Sequence, residues 1–185
     1  MNKTILLIAL FSAAFGQQNV DLSFRKTLDR NSLALTIPKG FKETPIIAND
    51  DVAYDYALKD SMGAFEIRFR IFALNDPPPN TSPESMNGMY PAMLLAMAVN
   101  ISNGKPGNSG PFDPAAVRSE FGADAGMTCA VDANSQFSKG FKYCLINVIH
   151  RNNVVDAYIF YLFNDKNQLR TTLLRDDVFH CLRFK

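Results

Sequence analysis

The stretch from Gly126 to Asp165, GMTCAVDANSQFSKGFKYCLINVIHRNNVVDAYIFYLFND, decides the fold, because three strand-like segments follow one another in it with turns between them. We predict strands at Gly126–Ala133, Phe141–His150 and Val154–Asn164. Asn152 and Asn153 join the last two, and asparagine tolerates the positive φ angles of a two-residue hairpin turn. This turn predicts that Arg151 lies opposite Val154.

The predicted register makes both faces of the last two strands mainly apolar. One face carries Cys144, Ile146, Val148, Ala157, Ile159, Tyr161 and Phe163, and the other carries Tyr143, Leu145, Asn147, Ile149, Asp156, Tyr158, Phe160 and Leu162. A hairpin with one solvated face would alternate apolar and polar residues. We therefore predict an α+β fold, a three-layer α/β/α sandwich with a mainly antiparallel sheet that is covered on both sides.

The first sixteen residues have the pattern of a secretory signal peptide. Lys3 is followed by the apolar run Ile5–Phe11 and by the small-x-small motif Ala14–Gly16. We expect cleavage before Gln17 and a secreted or periplasmic protein, in which residues 17–185 form a single α+β domain. No later apolar run approaches the roughly 18 residues of a membrane-spanning helix, so no integral membrane segment is expected after cleavage.

The charges of the mature chain are balanced. Without Lys3, 18 basic side chains remain against 18 acidic ones. Such a balance argues against a nucleic-acid partner and against binding to anionic membranes. The Gly/Pro/Asn/Ser-rich segment 103–111 has no phosphate-loop spacing, and we expect it to be a surface loop.

A second hairpin is predicted between Val52 and Ile71, with its turn at Asp60–Gly63. Its pattern places aromatic and aliphatic residues on one face and mostly charged residues on the other. The predicted register sets Asp55 opposite Arg68. We expect the charged face to be solvated, which makes Arg68 and Arg70 candidates for contact with a ligand or partner.

Three helices are predicted, and the segment before them is ambiguous. Residues 86–101 repeat apolar side chains every three or four positions, with Pro91 near the helix start, and their methionines fit either core packing or an adaptable binding surface. Asp113 and Pro114 start a helix that Gly122 ends. An apolar stripe over 169–182 predicts a C-terminal helix, whereas Asn19–Arg25 is interpreted as a weak strand or a packed arm.

The three cysteines allow two interpretations. If the first hairpin is centred between Gln136 and Phe137, Cys129 lies opposite Cys144, and an oxidising compartment would favour a disulfide between them. Alternatively, all three cysteines are buried thiols that act as small hydrophobes. Cys181, on the predicted last helix, competes for Cys144.

The sequence contains no recognisable catalytic arrangement. It has two histidines, His150 and His180, without a nucleophile elbow or a protease signature beside a cysteine, and both are expected at the surface. Asp176 and His180 are one helical turn apart and form half a metal site, but no second pair accompanies them. We predict no catalytic residue, no metal and no cofactor.

A polar cluster is predicted at the end of the central hairpin. Asn147, His150, Asp156 and Tyr158 lie close to the turn, where cover from one helical layer is expected to end. Burial would raise the pKa of Asp156 unless its neighbours hydrogen-bond the carboxylate. The cluster is interpreted either as structural or as the place where a ligand or partner is contacted.

The order of the elements, together with the turn Leu35-Thr36-Ile37-Pro38-Lys39-Gly40-Phe41, resembles the Mog1/PsbP-like fold family. The resemblance implies an antiparallel sheet between helical layers. It also implies membership of a family that includes accessory and partner-binding proteins. We therefore expect an exported non-catalytic binding or accessory protein whose partner is another protein. The alternatives are a small-molecule carrier or sensor with a pocket between the sheet and the helix near residues 86–101, and then an enzyme of unknown class.

Overall fold

The computed structural model describes residues 20–75 and 79–185, so the predicted signal peptide and its cleavage site lie outside the described part. The strands are β1 (Leu33–Leu35), β2 (Phe41–Glu43), β3 (Tyr56–Asp60), β4 (Phe65–Ala73), β5 (Asn108–Pro111), β6 (Ala125–Asp132), β7 (Tyr143–Arg151), β8 (Val155–Phe163) and β9 (Leu182–Phe184). The helices are α1 (Leu22–Arg30), α2 (Pro83–Met86), α3 (Tyr90–Ile101), α4 (Pro114–Phe121), α5 (Ser135–Ser138), α6 (Lys166–Gln168) and α7 (Asp176–Phe179). A π-helical turn, Leu169–Leu173, lies between α6 and α7.

Seven of the strands form one antiparallel sheet in the order β2-β3-β4-β8-β7-β6-β5. The remaining two, β1 and β9, pair with each other in a small second sheet. The predicted α+β class with a mainly antiparallel sheet is confirmed. Strand β8 lies in the middle of the large sheet, and every one of its residues is buried.

The register of the central hairpin differs by one residue from the prediction. Arg151 lies opposite Val155 and His150 opposite Asp156, so the loop holds three residues rather than two. Of the two asparagines, Asn153 has a positive φ of 60° and Asn152 does not, whereas a two-residue type I′ turn requires both. The predicted pairing of faces is therefore wrong, and the even-numbered residues of β7 share a face with the even-numbered residues of β8.

Each face of the large sheet carries a hydrophobic cluster of its own, so the prediction that both faces are apolar is confirmed. We call face A the one with Ile67, Phe69, Ile159 and Tyr161, and face B the one with Arg68, Ile146, Val148 and Phe160. Residues of α1, α4 and the C-terminal segment join the cluster of face A. Residues of α3 and α5 join that of face B.

Two terminal segments differ from their predicted structure. The supposed arm is helix α1, because Asp21 accepts hydrogen bonds from the backbone N–H groups at its start, and Phe24 and Leu28 pack one turn apart in the cluster of face A. The predicted C-terminal helix over 169–182 is instead divided into the π-helical turn and α7, and its last residue, Leu182, belongs to β9. The pairing of β9 with β1, far away in sequence, competes successfully with helical periodicity.

Other local predictions are confirmed in part. Asp113 caps α4, Gly122 ends it with a φ of 63°, and Pro91 lies in the first turn of α3. The second hairpin forms, but Ala57 rather than Asp55 lies opposite Arg68, a shift of two residues. The expected loop 103–111 contains edge strand β5. Within the described residues, no helix combines the length and apolar character needed to cross a membrane.

Candidate functional site

The polar end of the central hairpin contains a buried histidine–aspartate pair. His150 is the next-to-last residue of β7, Asp156 is the second residue of β8, and their pairing across the hairpin brings Nδ1 of His150 to 2.6 Å from Oδ1 of Asp156. Their side chains are 2% and 0% exposed. The prediction of a surface histidine at position 150 is therefore wrong, because α3 covers this end of face B through Tyr90, whose ring stacks on the imidazole at 4.8 Å.

The partners of His150 favour its charged form. Nε2 lies 3.1 Å from Oδ1 of Asn152, so both ring nitrogens face oxygen acceptors, to which an imidazolium can donate. Burial lowers the pKa of His150, but the hydrogen bonds to Asp156 and Asn152 and the negative charge of Asp156 outweigh it, and the pKa is raised. Burial also raises the pKa of Asp156, against the opposing effect of His150. Oδ2 of Asp156 is buried and has no hydrogen-bond partner in the described part of the chain.

The other two residues of the predicted polar cluster have separate roles. Tyr158 lies on face B beside the pair and donates a long hydrogen bond of 3.4 Å to the Tyr90 carbonyl. Asn147 lies on face A and accepts a hydrogen bond of 2.8 Å from Thr128 on β6. The structure thus brings His150, Asp156 and Tyr158 together and leaves Asn147 on the opposite side of the sheet.

Polar contacts also fix the hairpin turn above this pair. The backbone N–H of Asn153 donates to Asn87 at 2.7 Å, and the Asn87 amide donates back to Asn153 at 2.9 Å. The backbone N–H of Asn152 donates to Asp124 at 2.9 Å. Because Nε2 of His150 meets Asn152 and not a nucleophile, the geometry suits a buried ion pair that holds the turn rather than a general base.

Arg68 is not part of a solvated face, and that prediction is wrong. Its side chain is 1% exposed, and Nε donates to Glu66 at 2.7 Å while Nη1 donates to the carbonyl of Phe137 at 2.5 Å. The guanidinium lies 4.7 Å from the ring centre of Tyr54 and 4.8 Å from that of Phe137. Arginine is buried here because two flat aromatic rings and a carboxylate replace its water.

Arg70 is half-buried and engaged within the chain. It donates to Asp55 at 2.7 Å, and the second oxygen of Asp55 accepts the backbone N–H of Ile71 at 2.7 Å. The predicted opposite-charge pair in this hairpin therefore forms with Arg70 instead of Arg68. Its side-chain exposure of 34% leaves Arg70 the more accessible of the two predicted contact residues.

The three cysteines are free and buried. Cys129 lies opposite Ile146, and Cys144 lies opposite Val131, so the register predicted for a Cys129–Cys144 disulfide is wrong by two residues. The connection between β6 and β7 contains helix α5, and the hairpin is centred between Phe137 and Ser138 instead of between Gln136 and Phe137. Burial raises the pKa of all three thiols, that of Cys181 to about 12.

His180, which forms half of a possible metal site with Asp176, also contacts a second carboxylate. Nδ1 of His180 lies 2.7 Å from Asp176, and Nε2 lies 3.0 Å from Glu120 of α4. Both ring nitrogens are therefore hydrogen-bonded. Among the described residues, no group of three or more His, Cys, Asp or Glu side chains has an arrangement that could hold a metal ion.

The outer face of α3 is apolar and exposed. Leu94, Ala98 and Ile101 are buried against face B. Met89, Leu95 and Val99 are 47%, 40% and 42% exposed, and Ala92 and Ala96 between them are exposed too. The sequence shows this feature directly, since no charged residue occurs from Ser85 to Gly104.

No protein-family model matches this chain, and no curated protein matches it.

Proposed function

We propose that this chain is an exported non-catalytic binding or accessory protein, and that the outer face of α3 contacts an apolar helix of a partner protein. The exposed, uncharged surface of α3 carries the proposal. We also propose that the fold is a three-layer α/β/α sandwich of the Mog1/PsbP-like type. Helical residues in the clusters of both sheet faces support this arrangement.

A surface helix ordinarily has one apolar stripe and a charged or polar opposite side. Helix α3 departs from this rule, because Leu95 and Val99, one turn apart, point away from the buried stripe. Contiguous apolar exposure of this kind marks interaction sites. Ala92 and Ala96 between the larger side chains let a second helix approach closely. The occupant has to be apolar as well, because a charged group placed on this face would lose water without gaining a partner.

The state of the reactive side chains supports a non-catalytic role. The thiols of Cys129, Cys144 and Cys181 are buried, and raised pKa values keep them protonated, so they are poor nucleophiles. Both ring nitrogens of His150 are hydrogen-bonded inside the protein. A catalytic base requires a nitrogen that can reach a substrate or nucleophile.

The proposal is tested with a fluorescein-labelled, uncharged amphipathic helical peptide that has leucines at positions i, i+3, i+4 and i+7. We expect a saturable rise in anisotropy with the wild-type protein. The double substitution Leu95→Glu and Val99→Glu is expected to abolish the rise. Met62→Glu is the matched control, because Met62 is an 84% exposed apolar residue at the β3–β4 turn, and its binding curve is expected to match wild type.

Three results would overturn the proposal. The first is the absence of peptide binding by the wild-type protein. The second is equal binding by the double variant and the wild type. The third is concentration-dependent self-association, measured by sedimentation, that disappears in the double variant, because it would show that a second copy of this chain covers α3.

A further inference from the structure

A cavity of about 450 Å³ lies at the side of face A that borders β6 and β7. Tyr143 and Phe163, which are opposite each other in the sheet, form an aromatic wall with ring centres 5.6 Å apart. Ala130 and Val131 of β6 and Leu169 of the π-helical turn add to the apolar lining. The volume falls within the range of small-molecule sites, roughly 300–1,000 Å³.

Two cations line this cavity, and neither has an anionic partner in the described part of the chain. Lys166 and Arg170 are one helical turn apart and both line the cavity. The Lys166 ammonium lies 4.9 Å from the ring centre of Tyr143. Among the described residues, neither cation forms an ion pair. Among the described lining residues Asp132 is the one carboxylate, so the formal charges of Asp132, Lys166 and Arg170 sum to +1 at neutral pH.

The backbone at the cavity is unusual as well. Leu169–Leu173 forms a π-helical turn, a conformation that is rare and occurs frequently at functional sites. Its two ends are anchored: Asp165 and Gln168 form a capping box before it, and Leu173 is buried in the cluster of face A. This turn carries Leu169, which belongs to the apolar lining of the cavity, and Arg170, which lines the cavity together with Lys166.

We propose that the cavity binds a small aromatic carboxylate. Its flat ring system would lie against Tyr143 and Phe163, and its carboxylate would bind Arg170, which presents a planar pair of N–H donors matched to two oxygens. Lys166 adds a second positive charge, and Asp132 can accept a hydrogen bond from a hydroxyl group of the ligand. The site is on the opposite side of the sheet from α3 and does not depend on the proposed partner surface.

The test uses 2-naphthoate and its neutral analogue 2-naphthylmethanol, titrated into the full chain by isothermal calorimetry. We expect saturable one-to-one binding of 2-naphthoate and at least tenfold weaker binding of the alcohol. Arg170→Gln is expected to weaken 2-naphthoate binding about tenfold without affecting the alcohol. Arg118→Gln, at an exposed arginine of α4 away from the cavity, is the matched control and is expected to bind like wild type.

A filling substitution tests the location independently of charge. Ala130→Phe is expected to abolish the binding of both compounds, since the new ring occupies the cavity. Circular dichroism checks that each variant is folded. The proposal is overturned if the wild type does not bind 2-naphthoate saturably or binds the two compounds equally. It is also overturned if Arg118→Gln weakens binding as much as Arg170→Gln, or if folded Ala130→Phe binds like wild type.

Discussion

Replacing Asp156 by Asn should reverse the pH dependence that the buried His150–Asp156 pair confers on stability. Asn has the shape of Asp and can still accept a hydrogen bond from Nδ1 of His150, so the substitution removes the charge and little else. The pair is fully enclosed, with side chains 2% and 0% exposed. Solvent therefore cannot replace the lost carboxylate.

The sign of the wild-type pH dependence follows from the two raised pKa values. The pKa of His150 in the folded protein lies above its ordinary 6.5, and that of Asp156 lies above 3.8. The folded state then binds more protons than the unfolded state, and the free energy of unfolding falls as pH rises. The contribution of His150 is fully present below pH 6.5 and is lost as pH rises through its folded-state pKa. One proton changes the free energy by at most about 1.4 kcal/mol per pH unit.

In Asp156→Asn the burial of His150 is opposed by the Asn152 hydrogen bond and the smaller effect of the Asp124 charge, without the charge of Asp156. The folded-state pKa of His150 should then fall below 6.5, so that the contribution of this histidine to stability increases with pH instead of decreasing. At pH 6, where wild-type His150 is charged, loss of one partner of a buried ion pair is expected to cost about 3–5 kcal/mol. As pH rises through the folded-state pKa of wild-type His150 and its imidazole becomes neutral, the loss should shrink towards about 1 kcal/mol, the value of a single neutral hydrogen bond.

Urea unfolding of both proteins at half-unit steps between pH 5.5 and 8.5 measures this difference. Asp176→Asn is the control, because it removes the carboxylate that pairs with His180 at the surface. The side chain of Asp176 is 94% exposed. We expect a far smaller loss there and no reversal of slope. The reasoning is refuted if the stability loss in Asp156→Asn does not decrease as pH rises, and equally if the variant keeps the wild-type sign of pH dependence.

Two further predictions concern packing and thiols. Gly126→Ala should destabilise the protein by about 1–3 kcal/mol in urea unfolding, because a Cβ there would lie 2.6 Å from Phe112 and 2.9 Å from the Val148 carbonyl. Gly110→Ala, whose added Cβ has no atom of the described residues within 4 Å, should be nearly neutral, and equal losses would contradict the packing argument. In denaturant without reductant, Ellman's reagent should titrate three thiols per chain, as the three free cysteines require, and a count of one would instead indicate a disulfide.

The fold class was predictable because β8 is long and apolar on both faces, and this property does not depend on register. The register itself was not predictable from Asn152 and Asn153. Two asparagines are compatible with a two-residue turn, but the contacts of Asn152 with Asp124 and of Asn153 with Asn87 come from distant parts of the chain. These contacts act together with the His150–Asp156 pair to favour a three-residue loop.

The position of the site in the fold was predictable, but the burial of its residues was not. Asp156 and Tyr158 are close to His150, as expected, but the burial of His150 depends on Tyr90 of α3, which sequence spacing cannot place over the hairpin. Arg68 shows the same limit more strongly. In the alternating pattern of β4, Arg68 falls on the charged face, and the charged face of a strand is usually exposed to solvent. Its burial depends on Phe137, 69 residues away in sequence.

Face B has two buried ion pairs, His150–Asp156 and Arg68–Glu66. They favour one strand register, which the apolar side chains of the hairpin do not select by themselves. A one-residue slip of a strand with one wet face moves its hydrophobic side chains into water, but a slip of β8, which is apolar on both faces, exposes little. Such a slip would instead carry Asp156 to face A and leave charged His150 buried alone on face B. Arg68, fixed by Glu66 and the Phe137 carbonyl, restricts β4 in the same way. Buried ion pairs often contribute little net stability, and their best-attested use is to select one arrangement among several. Here that arrangement holds the aromatic wall of Tyr143 and Phe163 in place on face A.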